Sequence, residues 1–227
     1  LPQHKGLSLA VYMKPAKAVG GDLYSFISLN EDELGVMLGD VSGKGTPAAL
    51  FMAKVVSEFK FSSRGKTDPA EALGGLNHSL SSESTGGLFV TLSYAIFDSK
   101  NKKMFLSNGG HLPMVLVKQE GPSSLITADE GMPIGVMDGA PFSTSEFSIQ
   151  EGDCFALYSD GVSEARNKKK DEYGVEALQK VMYDSRSLSA QEILDKVIVQ
   201  LNNFMGKADQ HDDMTLIVIK VGLLDGK

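Results

Sequence analysis

The sequence has little cysteine: Cys154 is the one such residue in 227. A single cysteine excludes an internal disulfide and a zinc cluster built from thiolates, and it favours a reducing compartment. Cys154 lies in the apolar run from residue 154 to residue 158, where we expect a buried and unreactive thiol. Functional chemistry is therefore expected from other side chains.

Positive charge is also in deficit, since 22 Lys and Arg residues stand against 29 Asp and Glu residues, a formal net charge of −7. This sign argues against a generic nucleic-acid binder. No apolar run approaches the roughly 18 residues of a membrane span, and no signal peptide opens the chain. The composition predicts a cytoplasmic protein that binds no nucleic acid and has no membrane segment in this part of the chain.

The chain opens at Leu1 without an initiator methionine. We interpret it as the output part of a longer protein, in which residues 1–6 end a linker, residues 7–222 form one domain and residues 223–227 are a tail. One domain fits the hydrophobic content of 42%. The 24 glycines exceed the average usage of roughly 7%, which indicates many turns and hence a β-rich fold.

The segment from residue 39 to residue 45, GDVSGKG, follows an apolar run and precedes an amphipathic stretch. Glycine-rich turns before helices often bind phosphate, but this spacing is wrong for a P-loop. Three residues instead of four separate Gly39 from Gly43, and Gly45 rather than Ser or Thr follows Lys44. The carboxylate of Asp40 would also repel a phosphate unless a cation lay between them.

Aspartates recur at the ends of predicted strands. Asp22, Asp40 and Asp160 lie beside glycines, and either Asp212 or Asp213 lies at the start of the closing strand. Strands separated by long helical excursions would bring these ends to one shared edge of a sheet sandwich. Carboxylates gathered there repel one another, and a divalent cation resolves that conflict. The pattern therefore predicts a metal site.

Ligation by oxygen alone favours Mg²⁺ or Mn²⁺ over zinc, and the histidines at positions 4, 78, 111 and 211 show no chelating spacing. The carbonyl of Val41 is a further candidate ligand, because the glycines that follow it let the loop bend back. Two such ions about 3.5–4 Å apart would bridge and acidify a water, whose hydroxide would attack phosphorus in line. Hydrolysis of a phosphomonoester is the predicted reaction.

Two helices are expected after Asp40. Thr46 and Pro47 start the first one. Its inward stripe is predicted from apolar residues spaced three and four apart: Ala49, Met52, Val56 and Phe59. The second begins at Asp68-Pro69 and contains Gly74 and Gly75, which weaken it by roughly 1 kcal/mol each relative to alanine. Movement of these helices is a possible way to reposition Asp40.

Local patterns predict further elements along the second half of the chain. Apolar runs predict strands at residues 114–117 and 154–158, and a less regular stretch predicts another at 142–149. A helix is expected over residues 173–183. The capping box Ser189 to Glu192 predicts the start of the last helix.

Five motifs occur in the order seen in metal-dependent type-2C (PPM) serine/threonine protein phosphatases, which the chain resembles from about residue 7 to residue 221. The motifs are GGD at 20–22, GDVSGKG at 39–45, NGGHLP at 108–113, SDG at 159–161 and DDMT at 212–215. They are similar above all to the bacterial branch that holds the stage II sporulation phosphatase and the stress-response phosphatases controlling sigma factors. The resemblance implies an α+β fold, an α-β-β-α sandwich of two mainly antiparallel sheets flanked by helices. It also implies a centre of two Mn²⁺ or Mg²⁺ ions at one edge.

The resemblance implies a set of metal ligands: Asp22, Asp40, Val41, Asp160 and Asp212. Asp40 resembles the bridging ligand and Val41 the carbonyl ligand, whereas Asp160 and Asp212 resemble the other carboxylates on the more buried ion. Asp22 resembles a ligand that binds directly or through water, and Asp22 with Asp40 is the predicted catalytic pair. Asp212 is favoured over Asp213 because the second position is often asparagine in the wider family.

Two departures from the family pattern affect the chemistry. Eukaryotic members place a histidine, their general acid, where this chain has Ser42, so the proton for the leaving group must come from a metal-bound water or from elsewhere. His111 is a candidate for this role or for substrate binding, and the alternative is a loop histidine that holds a turn. The phosphate-clamping arginine of eukaryotic members is not evident either, and Lys17 is the candidate replacement.

The sequence and the resemblance together predict a Mn²⁺/Mg²⁺-dependent phosphatase acting on phosphoserine or phosphothreonine. By resemblance, its substrate is a phosphorylated anti-sigma-factor antagonist, an N-terminal sensor domain precedes it in the full chain, and a homodimer is possible. The first alternative is a catalytically silent module of the same fold that binds a phosphoprotein. The second is a nucleotide-binding domain built on the Gly39 segment.

Overall fold

The computed structural model describes residues 1–43, 45–82, 87–129 and 131–222. Lys44 of the glycine-rich segment and the predicted tail at 223–227 lie outside this described part. The strands are, in chain order, β1 Leu7–Lys14, β2 Asp22–Ser28, β3 Glu33–Val41, β4 Val90–Asp98, β5 Lys103–Gly109, β6 Met114–Val117, β7 Ser123–Ile126, β8 Ser145–Ser148, β9 Cys154–Tyr158 and β10 Met214–Val221. The helices are α1 Thr46–Ser62, α2 Pro69–Ser81, α3 Asp160–Ser163, α4 Val175–Asp184 and α5 Ala190–Met205.

The strands form two five-stranded sheets. The first has the order β1-β10-β9-β6-β7 and the second the order β2-β3-β4-β5-β8. Every pairing between neighbouring strands is antiparallel. In the first sheet, β1 and β10 pair along their whole length, from Leu7 opposite Val221 to Lys14 opposite Met214.

Alternation along the strands divides the apolar side chains among three layers. Residues such as Val36 of β3 and Leu157 of β9 belong to one cluster between the sheets. Val218 of β10 packs in a second cluster with α4 and α5, and Leu92 of β4 packs in a third with α1 and α2. The predicted α-β-β-α sandwich is confirmed. No helix in the described ranges is both long and apolar enough to cross a membrane.

The predicted inward stripe of α1 was wrong by one position. The buried residues of α1 are Ala48, Phe51, Val55 and Phe59, so only Phe59 belongs to both sets. Met52 and Val56 are partly buried at the flank of the same cluster. Because α1 carries apolar residues on adjoining faces, their spacing alone does not select the face that meets the sheet.

Three elements differ from the sequence prediction in extent or existence. The strand expected over 142–149 is limited to Ser145–Ser148. Strand β7 was not predicted. It is a four-residue strand, SSLI, in which only the end residues are half-buried. The single turn of α3 was not predicted either, because Asp160 and Gly161 indicated a loop. By contrast, β6 and β9 have the predicted bounds.

Two glycine substitutions test the packing of the second sheet and its helices. A Cβ at Gly74 would meet nothing within 4 Å, so Gly74→Ala should stabilise α2 by about 0.5–1 kcal/mol. A Cβ at Gly35 would lie 2.8 Å from Cε2 of the buried Tyr94 ring, so Gly35→Ala should destabilise the protein by about 2 kcal/mol. Urea unfolding measures both changes, and equal effects of the two substitutions would contradict this packing.

Candidate metal centre

Asp22 and Asp40 face each other across two neighbouring strands. Asp22 begins β2, Asp40 is the second-last residue of β3, and the two are direct partners in the antiparallel register. The side chain of Asp22 is 1% exposed, and that of Asp40 is half-buried. Pairing of the strands therefore places two of the predicted carboxylates side by side at one end of the sheet.

Gly21 lets the backbone approach this pair. A Cβ at Gly21 would lie 2.8 Å from Oδ1 of Asp40 and 3.0 Å from the carbonyl oxygen of Val41. The N–H of Val41 donates to the carbonyl of Gly21 at 3.2 Å, which holds the two segments together. The carboxylate and the carbonyl thus border the same small space, which a side chain at residue 21 would fill.

Two cavities meet at Asp40. The first, of about 120 Å³, is lined by the loop before β2, the glycine-rich segment and the start of the last motif, including Lys17, Val41, His211, Asp212 and Asp213. The second, of about 280 Å³, includes Thr91, His111, Asp160 and Glu164 in its lining. Asp40 lines both cavities, whereas Asp22 lies behind them and lines neither.

Burial and neighbouring charges shift the pKa values of the two paired carboxylates. Burial and, after it, the neighbouring charges of four aspartates together raise the pKa of Asp40 to about 7. The four are Asp22, Asp160, Asp212 and Asp213. Burial is also the main cause that raises the pKa of Asp22 to about 7. The aspartates predicted from the sequence therefore do lie within electrostatic reach of one another.

A polar layer behind Asp22 was not predicted from the sequence. The hydroxyl of Thr215 donates to Oδ2 of Asp22 at 2.6 Å, and the N–H of Thr215 donates to Oγ of Ser159 at 2.9 Å. These hydroxyls oppose the effect of burial on the pKa of Asp22. Both residues belong to motifs that were noted for their aspartates, but the contact depends on residues 193 positions apart in the chain.

His111 lies in the wall of the second cavity and is 9% exposed. Its Nδ1 is 2.9 Å from the hydroxyl of Thr91, its N–H donates to Oδ1 of Asn108 at 2.7 Å, and its carbonyl accepts from Nδ2 of Asn108 at 2.9 Å. Burial lowers the pKa of His111 to about 4, against an opposing effect of the Tyr158 carbonyl. The imidazole is therefore neutral at physiological pH and is tied into the turn.

Ser42, which stands where eukaryotic type-2C phosphatases have histidine, is engaged in the fold. Its hydroxyl accepts from the N–H of Phe89 at 2.9 Å, and its N–H donates to the carbonyl of Phe89 at the same distance. This pair of bonds continues the pairing of β3 with β4 beyond Val41. Ser42 thus connects the glycine-rich segment to the residues that precede β4.

Metal binding itself stays a prediction. Within residues 1–43, 45–82, 87–129 and 131–222, no three His, Cys, Asp or Glu side chains are placed so that they could hold a metal ion. The donor chemistry nevertheless fits a hard cation, since the predicted ligands around Asp40 are carboxylates and one carbonyl. Lys17, which is exposed, and His211 also line the first cavity.

Two face-to-face antiparallel sheets, outer helices and aspartates at one edge define the class of type-2C (PP2C) phosphatase folds. The structure is similar to the SiaA-PP2C domain of Pseudomonas aeruginosa, with a TM-score of 0.83 and 20% identity over 93% of this chain and 85% of that domain. It is also similar to a structure of the PP2C phosphatase domain and a fragment of the regulatory domain of SpoIIE from Bacillus subtilis. There the TM-score is 0.81, with 20% identity over 95% of this chain and 62% of that one.

The chain belongs to the stage II sporulation protein E (SpoIIE) family, whose family model matches residues 30–222. It is 26% identical over 223 residues to the phosphoserine phosphatase RsbU of Bacillus subtilis (strain 168). That match covers 97% of this chain and 65% of RsbU. The predicted family and its bacterial sporulation and stress branch are confirmed.

The raised pKa of Asp40 predicts how the metal-free protein responds to pH. Its folded pKa of about 7 exceeds the ordinary value of 3.8, so ionisation of Asp40 opposes folding. The stability that the neutral carboxyl provides is fully present below pH 3.8 and is lost as the pH rises from there through about 7. Asp40→Asn removes this ionisation. The melting temperature of the variant minus that of the wild type should therefore increase between about pH 5 and about pH 8.

Thermal unfolding in EDTA measures this difference, in which the titration of groups that do not interact with Asp40 cancels. Asp209→Asn is the control, because Asp209 is exposed and its replacement should leave the pH dependence of the wild type unchanged. Parallel pH profiles for wild type and Asp40→Asn would contradict a perturbed Asp40.

Proposed function

We propose that the chain is a cytoplasmic Mn²⁺- or Mg²⁺-dependent protein phosphatase that hydrolyses phosphoserine or phosphothreonine. The observation that carries the proposal is the position of Asp40, a carboxylate with a pKa of about 7 where two cavities meet, surrounded by four further aspartates. Titratable groups with strongly shifted pKa values are concentrated at functional sites. Membership in the SpoIIE family and the similarity to RsbU, named a phosphoserine phosphatase, support the reaction class.

The residues that would hold the ions are Asp40, the carbonyl of Val41, Asp160 and Asp212, with Asp22 binding directly or through water. Two bound ions would supply Lewis-acid activation of water and neutralise the charge of the phosphoryl group. The protein residues would position the substrate. Lys17, at the first cavity, would attract the phosphate, whose charge the surrounding aspartates would otherwise repel.

His111 is better suited to supporting the cavity wall than to transferring a proton. With its pKa lowered to about 4, the imidazole is neutral near pH 7 and is a poor general acid, because an effective general acid has a pKa near the working pH. Its bonds to Thr91 and Asn108 instead fix the turn beside Asp160. Protonation of the leaving group would then fall to a water or to another residue at the site.

The proposed substrate is a phosphorylated regulatory protein of the anti-sigma-factor antagonist type. The similarity to RsbU and the family membership support this choice of partner. The chain spans 65% of the length of RsbU, and contacts made outside this domain would add to the choice of partner.

Asp40→Asn should lower kcat/KM toward a phosphoserine peptide by about 100-fold or more. The substitution removes a negative charge that would hold the ions, and the ions would in turn bind the phosphoryl group. The assay is phosphate release at increasing Mn²⁺, with EDTA as the metal-free reference. Asp195→Asn is the matched control, since Asp195 is exposed on α5 and its replacement should leave activity unchanged.

The same titration separates the proposed enzyme from its rivals. A silent binding module would bind the phosphorylated antagonist but release no phosphate at any Mn²⁺ concentration. A nucleotide-binding domain would bind ATP saturably and tolerate Asp160→Asn. Near-wild-type turnover by Asp40→Asn would overturn the assignment of Asp40.

A further inference from the structure

The carboxylate of Asp213 binds both ends of the loop that precedes β2. Its Oδ1 accepts from the N–H of Ala16 at 2.7 Å, and its Oδ2 accepts from the N–H of Gly21 at 2.5 Å. Both distances are short, as expected when an ionised carboxylate accepts from backbone amides. One side chain on the last motif therefore closes a loop some 190 residues earlier in the chain.

Neighbouring backbone segments pack closely against Asp213. A Cβ at Gly20 would collide with the carboxylate of Asp213, and a Cβ at Gly161 would collide with its carbonyl oxygen. That carbonyl also accepts from the hydroxyl of Ser159 at 3.2 Å. Asp213 thus contacts the motifs at residues 20–22 and 159–161 at once and is 9% exposed.

The closed loop carries Lys17, which lines the first cavity together with Asp40 and Asp212. Lys17 is exposed, so its own side chain provides little to hold it in place. The two bonds to Asp213 flank it, one at residue 16 and one at residue 21. Fixing the loop at both ends limits the positions that the ammonium group of Lys17 samples.

We propose that Asp213 is a positioning residue that clasps the Ala16–Gly21 loop and so holds Lys17 at the cavity where a phosphate would bind. The effect on substrate binding rests on the proposed phosphatase function, whereas the two hydrogen bonds of Asp213 to the loop do not depend on it. It gives the two adjacent aspartates different roles. Asp212 would help to hold the ions, and Asp213 would act on the substrate through the loop.

The clasp is tested first by amide hydrogen exchange, which needs no catalysis. Asp213→Asn keeps one carbonyl oxygen and places an NH₂ group opposite a backbone N–H. At least one of the Ala16 and Gly21 amides should then exchange about tenfold faster, the effect of losing one charge-assisted hydrogen bond. Amides of β9 and β10 should keep their wild-type rates, and Asp209→Asn, the same change at an exposed position, should alter neither loop amide. Unchanged protection at both residues 16 and 21 would overturn the clasp.

A second variant reaches the same contact from the loop side. Gly20→Ala leaves Asp213 intact but directs a methyl group at its carboxylate. It should speed exchange at the same two amides, whereas Gly74→Ala, where a Cβ has open space, should not. If Gly20→Ala leaves the loop amides protected, Asp213 does not hold them in the manner proposed.

The consequence for substrate is tested by a cycle of Lys17→Ala, Asp213→Asn and the double variant. Each single variant should raise KM for a phosphoserine peptide about tenfold, the loss of about 1.4 kcal/mol of binding, with kcat changed less than about threefold. Because Asp213 acts through Lys17, the double variant should be no worse than either single variant. Removing an acidic charge beside a phosphate site would by itself lower KM, so a rise reports positioning.

Additive effects in the cycle, or a fall of KM in Asp213→Asn, would overturn the role assigned to Asp213. A wild-type protein that releases no phosphate at any Mn²⁺ concentration would instead contradict the proposed phosphatase. In that case the exchange measurements would still decide whether the clasp exists.

Discussion

Repulsion among buried carboxylates is the constraint on which this structure depends. The antiparallel register of β2 and β3 sets Asp22 directly opposite Asp40, and burial raises the pKa of both to about 7. A shift of one residue in that register would send one of the two side chains to the opposite face of the sheet. The fold therefore holds acidic groups together against their charge, which is useful only if a cation or a proton offsets that charge.

The layers on either side of the strands keep this edge in place. Helices α1 and α2 pack on β3 and β4 through a buried cluster that includes Phe59 and Tyr94, whose rings meet edge to face with centroids 4.9 Å apart. At the edge itself, glycines at residues 20, 21 and 161 remove side chains where backbone and carboxylates approach closely. Gly21 lines the first of the two cavities that meet at Asp40, and Gly20 and Gly161 leave room for Asp213 behind it.

Local patterns in the sequence were sufficient to predict many of the strands and helices. The apolar runs at 114–117 and 154–158 are strands β6 and β9, and the capping box at Ser189 and Glu192 is present with both of its bonds at the start of α5. Cys154 is buried as expected, and burial raises the pKa of its thiol. These features depend on neighbours within a few residues, so the sequence displays them directly.

The site was predictable in its members but not in its contacts. Asp22, Asp40, Asp160 and Asp212 stood out because each lies beside glycine or at a strand end. The sequence offered no means of knowing that Thr91 pairs with Asp40 across β3 and β4 or that Thr215 bonds Asp22. Such contacts follow from strand register and from packing between distant segments. The error in the stripe of α1 has the same origin, since the sheet and not the helix chooses which apolar face is buried.

The pairing of β1 with β10 also determines where the two ends of the domain lie relative to Asp40. Its Leu7–Val221 end lies about 24 Å along the strands from its Lys14–Met214 end, beyond which come Ala16 and Asp213. Any module fused before β1 or after β10 would thus emerge on the side of the domain remote from Asp40. A displacement of such a module that travelled along β1 and β10 would arrive at the loop that carries Lys17.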